Sequence, residues 1–330
     1  MTGFRPALWL RGPHAQTLGA RLLRSRRGVR LRRERIDTPD GDFLDLDWAD
    51  ADATRDTPLC VVLHGLEGSA RSKYALETYR QLRRHGVAAV GLNFRSCSGV
   101  INRQPRLYHS GETEDLALVL TLMRDRAPDR PLGVIGFSLG GNVLLKYLGE
   151  SATDGGRRAR VDAAAAISVP YDLAAGATHM ERGFARVYVR RLLRSLKAKV
   201  RAKAAMLADR IDVRGALAAR TWRAFDDAAT APLHGFRDAN DYYARSSSGP
   251  LLPRIRVPAR LIHALDDPFL PARAVPDPAA LANPYLGWCV EAYGGHVGFV
   301  EGPPWAPRFW AEASAAAFIA GRLGMRPDPL

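Results

Sequence analysis

The sequence predicts an α/β fold: a mostly parallel central sheet flanked by helices, with a helical cap inserted late in the chain. Three observations carry this. Apolar runs of strand length alternate with helix-period segments between residues 59 and 169, in the order β-α-β-α-β-α-β. The runs are continuously apolar rather than alternating, as strands covered on both faces must be. After Pro170 the rhythm stops, and it resumes only at Ala259.

Residues 1–30 read as a lead-in carrying Trp9, Pro13, His14, Gln16 and Thr17, with no element assigned. Residues 32–48 read as two antiparallel strands joined at Asp40-Gly41, a pair suited to a tight turn. Leu59 to Leu63 is the first buried strand, followed by the polar loop His64 to Ser69. A helix from Ser72 to Arg84 ends at Gly86, and a strand from Val87 to Phe94 follows. Ser110 is the expected N-cap of a helix from Gly111 to about Arg126, with Glu112 in its first turn. Leu132 to Ile135 opens a strand, turn and helix, and Val161 to Val169 is a further strand. Residues 171–250 are basic, alanine-rich and helical in pattern, too long for a simple connection and so read as a cap. Strands at Ala259–Ala264 and Tyr285–Tyr293 and a helix from about Pro307 to Leu323 complete a single domain. Its core is 31–170 and 251–330.

Composition bounds the function. The chain is 47% hydrophobic and 25% charged, the balance of an ordinary globular protein, and no apolar run is long enough to span a bilayer. No secretory signal is apparent at the N-terminus. Three scattered cysteines (Cys60, Cys97, Cys289) suit a reducing, cytoplasmic compartment and lack zinc-ligand spacing. The net charge of +14 concentrates in Arg21–Arg35 and Arg182–Arg210. These clusters are read first as solvated helical faces. Peripheral contact with an anionic membrane is the alternative, and no nucleic acid partner is expected, since no stacking aromatics interleave them.

The chemistry centres on Gly136-Phe137-Ser138-Leu139-Gly140. A strand and a helix that meet at a sharp turn nearly touch, so small residues are needed two positions either side of the serine, which then projects its hydroxyl from the sheet edge. A serine needs a base, and the base an orienting acid. Later strand ends supply both in the order Ser, Asp, His: Asp266-Asp267-Pro268 after one strand and Gly294-Gly295-His296 after the next. Ser138 is assigned as nucleophile, His296 as general acid/base and Asp267 as orienting carboxylate. The segment Pro268 to Pro271 can turn the Asp267 carboxylate inward, and Asp266 remains its rival. Backbone amides of Leu66 and Leu139 are the expected oxyanion donors. His14, His109 and His234 are read as structural, and Cys97 as a small packed residue. No metal and no cofactor is assigned.

Motifs along nearly the whole chain carry a resemblance. PHAQT (13–17), HGLEGS (64–69), NFRSCSG (93–99), YHSGETEDL (108–116), GFSLGGN (136–142), FDDAATAPLHGF (225–236), DYYARSS (241–247), DDPF (266–269) and GGHVGF (294–299) occur in order. With them the chain resembles the YheT-like branch of the α/β-hydrolase superfamily, whose eukaryotic relatives include medium-chain phospholipases and acyl-ester transferases. It departs at Ser96, where that branch has glycine, and at Val100-Ile101, in place of Glu-Pro, in a loop expected at the active-site rim. The resemblance implies carboxylic-ester hydrolysis by a serine triad without metal or cofactor. The leading expectation is therefore a serine esterase acting on short- to medium-chain acyl esters, small molecules, through an acyl-enzyme on Ser138. Acyl transfer to an alcohol is the second reading, and a non-catalytic basic scaffold binding anionic membrane or nucleic acid the third.

Overall fold

The hairpin at Asp40-Gly41 forms the antiparallel edge of an eight-stranded sheet. In the computed structural model, which describes residues 3–49, 53–54, 56–155 and 158–325, β1 (Arg32–Asp37) pairs antiparallel with β2 (Phe43–Trp48). β3 (Leu59–Leu63), β4 (Ala88–Asn93), β5 (Leu132–Phe137), β6 (Ala163–Ile167), β7 (Ala259–Ala264) and β8 (Leu286–Glu291) are mutually parallel. The order across the sheet is β1-β2-β4-β3-β5-β6-β7-β8, with β2 antiparallel to β4.

The continuous apolar strands have a direct cause. Along β3, Leu59, Val61 and Leu63 enter one apolar layer with Val134, Leu144 and Tyr147. Cys60 and Val62 point the other way, into a layer with Ile135, Phe137 and Ile319. Both faces are thus covered by helices, and each strand residue loses its water whichever way it points.

Helices α2 (Lys73–Arg84), α3 (Glu114–Arg126) and α4 (Leu139–Ser151) follow β3, β4 and β5. α3 begins later than expected. Ser110 does not cap it; the Ser110 amide donates to the Tyr242 hydroxyl, and Glu112 N–H donates to the His109 carbonyl in a turn. Those residues serve as a loop docked on the later helices, so the helix starts after Thr113.

Between β6 and β7 every element is helical, including α5 (Leu173–Met180), α6 (Ala185–Ala202) and helix Ala239–Ser246. This segment packs its own apolar cluster, with Tyr188, Leu193, Leu196, Trp222 and Phe225 among its members. The C-terminal helix spans Trp310–Arg322, within the range read from the sequence.

A helix in the lead-in and a small two-stranded sheet are among the elements that the sequence reading did not assign. Helix α1 (Pro13–Leu23) lies in the lead-in; its N-cap is Gly12 and no side chain caps it, so it lacks a start signal beyond Pro13. Strands Val300–Glu301 and Arg308–Phe309 pair antiparallel but are too short to show a period.

Candidate active site

Ser138 sits between β5 and α4 with φ 50 and ψ −118, a conformation that costs a non-glycine residue about 1–3 kcal/mol. The crossing is too tight for side chains: a Cβ on Gly136 would meet the Gly140 carbonyl oxygen at 2.5 Å. The strain turns the Ser138 hydroxyl out of the sheet. Its Oγ lies 3.0 Å from His296 Nε2, and His296 Nδ1 lies 2.7 Å from Asp267 Oδ2. The Asp267 carboxylate accepts at Nδ1, so the proton resides there and Nε2 is free to accept from Ser138.

The two neighbouring aspartates have separate partners. Asp267 faces the imidazole and also accepts from the Phe269 amide at 2.8 Å. Asp266 accepts from the Gly295 amide at 2.8 Å and so holds the backbone of the histidine loop, not its ring. Partial burial, then the nearby charge of Asp267, raises the Asp266 carboxyl above its ordinary range.

The histidine loop is held from three sides. The His296 amide donates to Thr17 Oγ1 at 2.9 Å, and the Val297 amide to Ser168 Oγ at 3.0 Å. Phe269 stacks on the imidazole with ring centroids 4.0 Å apart and planes 12° from parallel. Arg24 Nη2 donates to the Val297 carbonyl at 2.8 Å, and Gln16 exchanges bonds with the backbone of Val300. Gln16, Thr17 and Arg24 thus position the loop, a role that sequence reasoning did not assign. The PHAQT motif was the available signal.

The loop after β3 closes over the serine. A Cβ on Gly65 would sit 3.2 Å from that of Ser138. The Gly65 amide is occupied by the Tyr74 hydroxyl at 2.9 Å and the Glu67 amide by the Tyr108 hydroxyl at 2.7 Å. Between them the Leu66 amide has no acceptor among the described residues, and neither has that of Leu139, at the start of α4. Both residues line the same cavity as Ser138 and His296.

Glu67 stands at φ 55, and its carboxylate is held by Tyr108, Ser195 and Lys199. Lys199 also donates to Cys97 Sγ at 3.1 Å. Burial pushes the Cys97 thiol up to about 11, which suits a packed residue rather than a nucleophile. His64, under the same loop, is buried and neutral: the Phe94 amide donates to its Nε2 at 3.1 Å, so its proton is on Nδ1, facing the Gly65 carbonyl. Burial lowers its pKa to about 3.

The cavity holds about 490 Å³. Leu66, Leu173, Met180, Leu196 and Phe269 supply apolar wall; Leu18, Arg21, Arg26 and Arg191 also border it. Contrary to the sequence reading, Ser96, Val100 and Ile101 do not line it. Ser96 adopts φ 63, which explains a preference for glycine there, and its hydroxyl donates to Asn102 Oδ1.

Among the described residues, one cluster has donor atoms close enough for a metal: His109, Glu112 and His234, all within 4.8 Å of one another. A cation there would compete with a guanidinium for its one carboxylate. Arg106 already donates to the Glu112 carboxylate. Burial first, then Arg106, depresses the His109 pKa to about 3, and the ring packs 4.4 Å from that of His234.

Comparison with known proteins agrees with this architecture. Residues 58–303 match the family model of the alpha/beta hydrolase fold. YheT of Escherichia coli, provisionally designated an esterase, is 41% identical over 303 residues, covering 91% of this chain and 88% of that protein. Phospholipase ABHD3 of Mus musculus is 32% identical, over 91% of this chain and 74% of its own. Among solved structures, a 2,6-dihydroxy-pseudo-oxynicotine hydrolase superposes with TM-score 0.57 at 16% identity, over 96% of this chain and 76% of its own, a likeness of fold.

Proposed function

We propose an activity from one premise: this chain belongs to the α/β-hydrolase family, in its YheT-like branch. It is a serine carboxylic-ester hydrolase for short- to medium-chain acyl esters. The observation that carries the reading is the run of contacts Ser138 Oγ–His296 Nε2 and His296 Nδ1–Asp267 Oδ2, at 3.0 and 2.7 Å, beside a cavity with apolar walls.

The chemistry follows from the positions. As Ser138 Oγ forms a bond to the ester carbonyl carbon, its proton passes to His296 Nε2. The imidazolium that results is stabilised by Asp267. The carbonyl oxygen becomes an oxyanion between the amides of Leu66 and Leu139. Collapse breaks the bond to the alcohol, which leaves with the proton from His296. Water then repeats the sequence on the acyl-enzyme, giving the free acid and Ser138. The apolar wall takes the acyl chain. Cys60, Cys97 and Cys289 are all free thiols, which supports a reducing, cytoplasmic setting.

The test is a chain-length series of p-nitrophenyl esters on wild type and Ser138→Ala. Turnover should fall by a factor on the order of 10³ or more in the variant. Retained turnover would remove Ser138 from the mechanism. An ethyl ester appearing on addition of ethanol would move the assignment to acyl transfer.

A further inference from the structure

Two helices border the opening of the cavity, and neither carries a carboxylate. α1 contributes Thr17, Leu18 and Arg21 to the wall; α6 contributes Tyr188, Arg191, Leu192 and Ser195. Their first turns meet, with the His14 ring 4.6 Å from that of Phe184 and His14 Nδ1 3.2 Å from the Tyr188 hydroxyl. The surrounding chain is one-sided in charge. Residues 1–33 and 182–208 each hold nine basic side chains and no acidic one.

Three of the cations at the rim, Arg21, Arg26 and Arg191, are uncompensated. Burial, then the like charges of Arg191 and Arg26, lowers the pKa of Arg21. None of Arg21, Arg26 and Arg191 pairs with a carboxylate among the described residues. Beside them stand exposed apolar side chains. Leu18 and Leu22, four residues apart, share one stripe of α1, and Leu22 is 76% exposed. Phe184 and Val187, one helical turn apart at the start of α6, are 52% and 50% exposed, and Arg191 continues their stripe.

Apolar tips interspersed with free guanidinium groups suit one environment. An anionic bilayer interface takes the apolar tips into the acyl boundary and offers phosphates to the arginines. A nucleic acid would satisfy the arginines and leave Leu22 and Val187 against water or sugar, with no gain from burying them.

We propose that the rim built by α1 and the start of α6 docks on an anionic phospholipid bilayer, seating the cavity mouth on the lipid. Docking itself requires no catalysis; only entry of an ester from the membrane rests on the hydrolase reading above. The surface is legible only in the fold, because its two halves lie on helices far apart in the sequence.

The experiment is co-sedimentation of the full chain with vesicles of phosphatidylcholine alone and of phosphatidylcholine with an equal part of phosphatidylglycerol. Wild type and Ser138→Ala should both partition to the anionic vesicles and not to the neutral ones, which separates docking from turnover. Each rim arginine lost should weaken partition about fivefold, so Arg21→Glu with Arg191→Glu should weaken it by far more than tenfold. Leu22→Asp with Phe184→Asp should also release the protein while hydrolysis of a soluble p-nitrophenyl ester stays at the wild-type rate. Wild-type partition in either double variant would overturn the proposal. So would equal sedimentation with and without the anionic lipid. So would release of the wild-type protein from the vesicles by a duplex oligonucleotide whose binding survives Leu22→Asp with Phe184→Asp.

Discussion

Lys199 Nζ lies 2.6 Å from Glu67 Oε1, so the helix α6 that arches over the site is tied to the loop that presents the Leu66 amide. Both side chains are largely buried, and Glu67 holds a left-handed backbone that persists only where its surroundings fix it.

Removing that anchor should loosen the proposed oxyanion donor, the Leu66 amide, without deleting it. Lys199→Met is expected to lower kcat about tenfold, less than the 10²–10³ typical of losing a donor outright, with KM little changed. Lys199→Arg should restore part of the loss. Steady-state kinetics of the three proteins checks this, and a change confined to KM would show that the pair only shapes the cavity.

The two adjacent aspartates should differ sharply. Asp267→Asn leaves an amide facing His296 Nδ1 and favours the wrong tautomer, so kcat should fall by about 10³–10⁴. Asp266→Asn keeps an oxygen for the Gly295 amide and should cost less than about tenfold. Equal losses in the two variants would contradict the separate partners seen for their carboxylates.

The hold of α1 on the histidine loop is testable at one hydroxyl. Thr17→Val keeps the shape but leaves the His296 amide without an acceptor, at about 1–3 kcal/mol. Both the denaturation midpoint and kcat should drop, and Thr17→Ser should recover both. An unaltered kcat in Thr17→Val would show that the loop keeps its geometry unaided.

Buried His64 makes stability depend on acid. Its folded pKa, about 3, is below the ordinary 6.5, so the unfolded chain binds the proton more readily. The stabilisation is present above pH 6.5 and is lost as pH falls from there toward 3, by up to about 1.4 kcal/mol per pH unit from this residue. His64→Asn, which cannot titrate, should flatten that part of the profile of melting temperature against pH. A profile parallel to wild type would assign the acid sensitivity to other groups.

Much of the molecule was readable in the chain because its causes are local. Continuous apolar runs announce strands covered on both faces, and glycines at 136 and 140 announce a crossing too tight for a Cβ. Ser138, His296 and Asp267 could be nominated because each follows a strand, in an order tied to this kind of sheet. The start of α3 was misplaced because Ser110, a good cap by type, spends its amide on Tyr242, a residue 132 positions away.

What the sequence alone determined is the alternation of strands and helices in the core, the parallel sheet and the elbow, since steric fit and periodicity act over a few neighbouring residues. The tertiary structure decided which of two adjacent aspartates meets the imidazole, that α1 grips the histidine loop, and that arginines of the lead-in and of α6 share one rim. The physical reason is distance along the chain. The bond from His296 to Thr17 joins residues 279 positions apart, and nothing local to either residue announces the other.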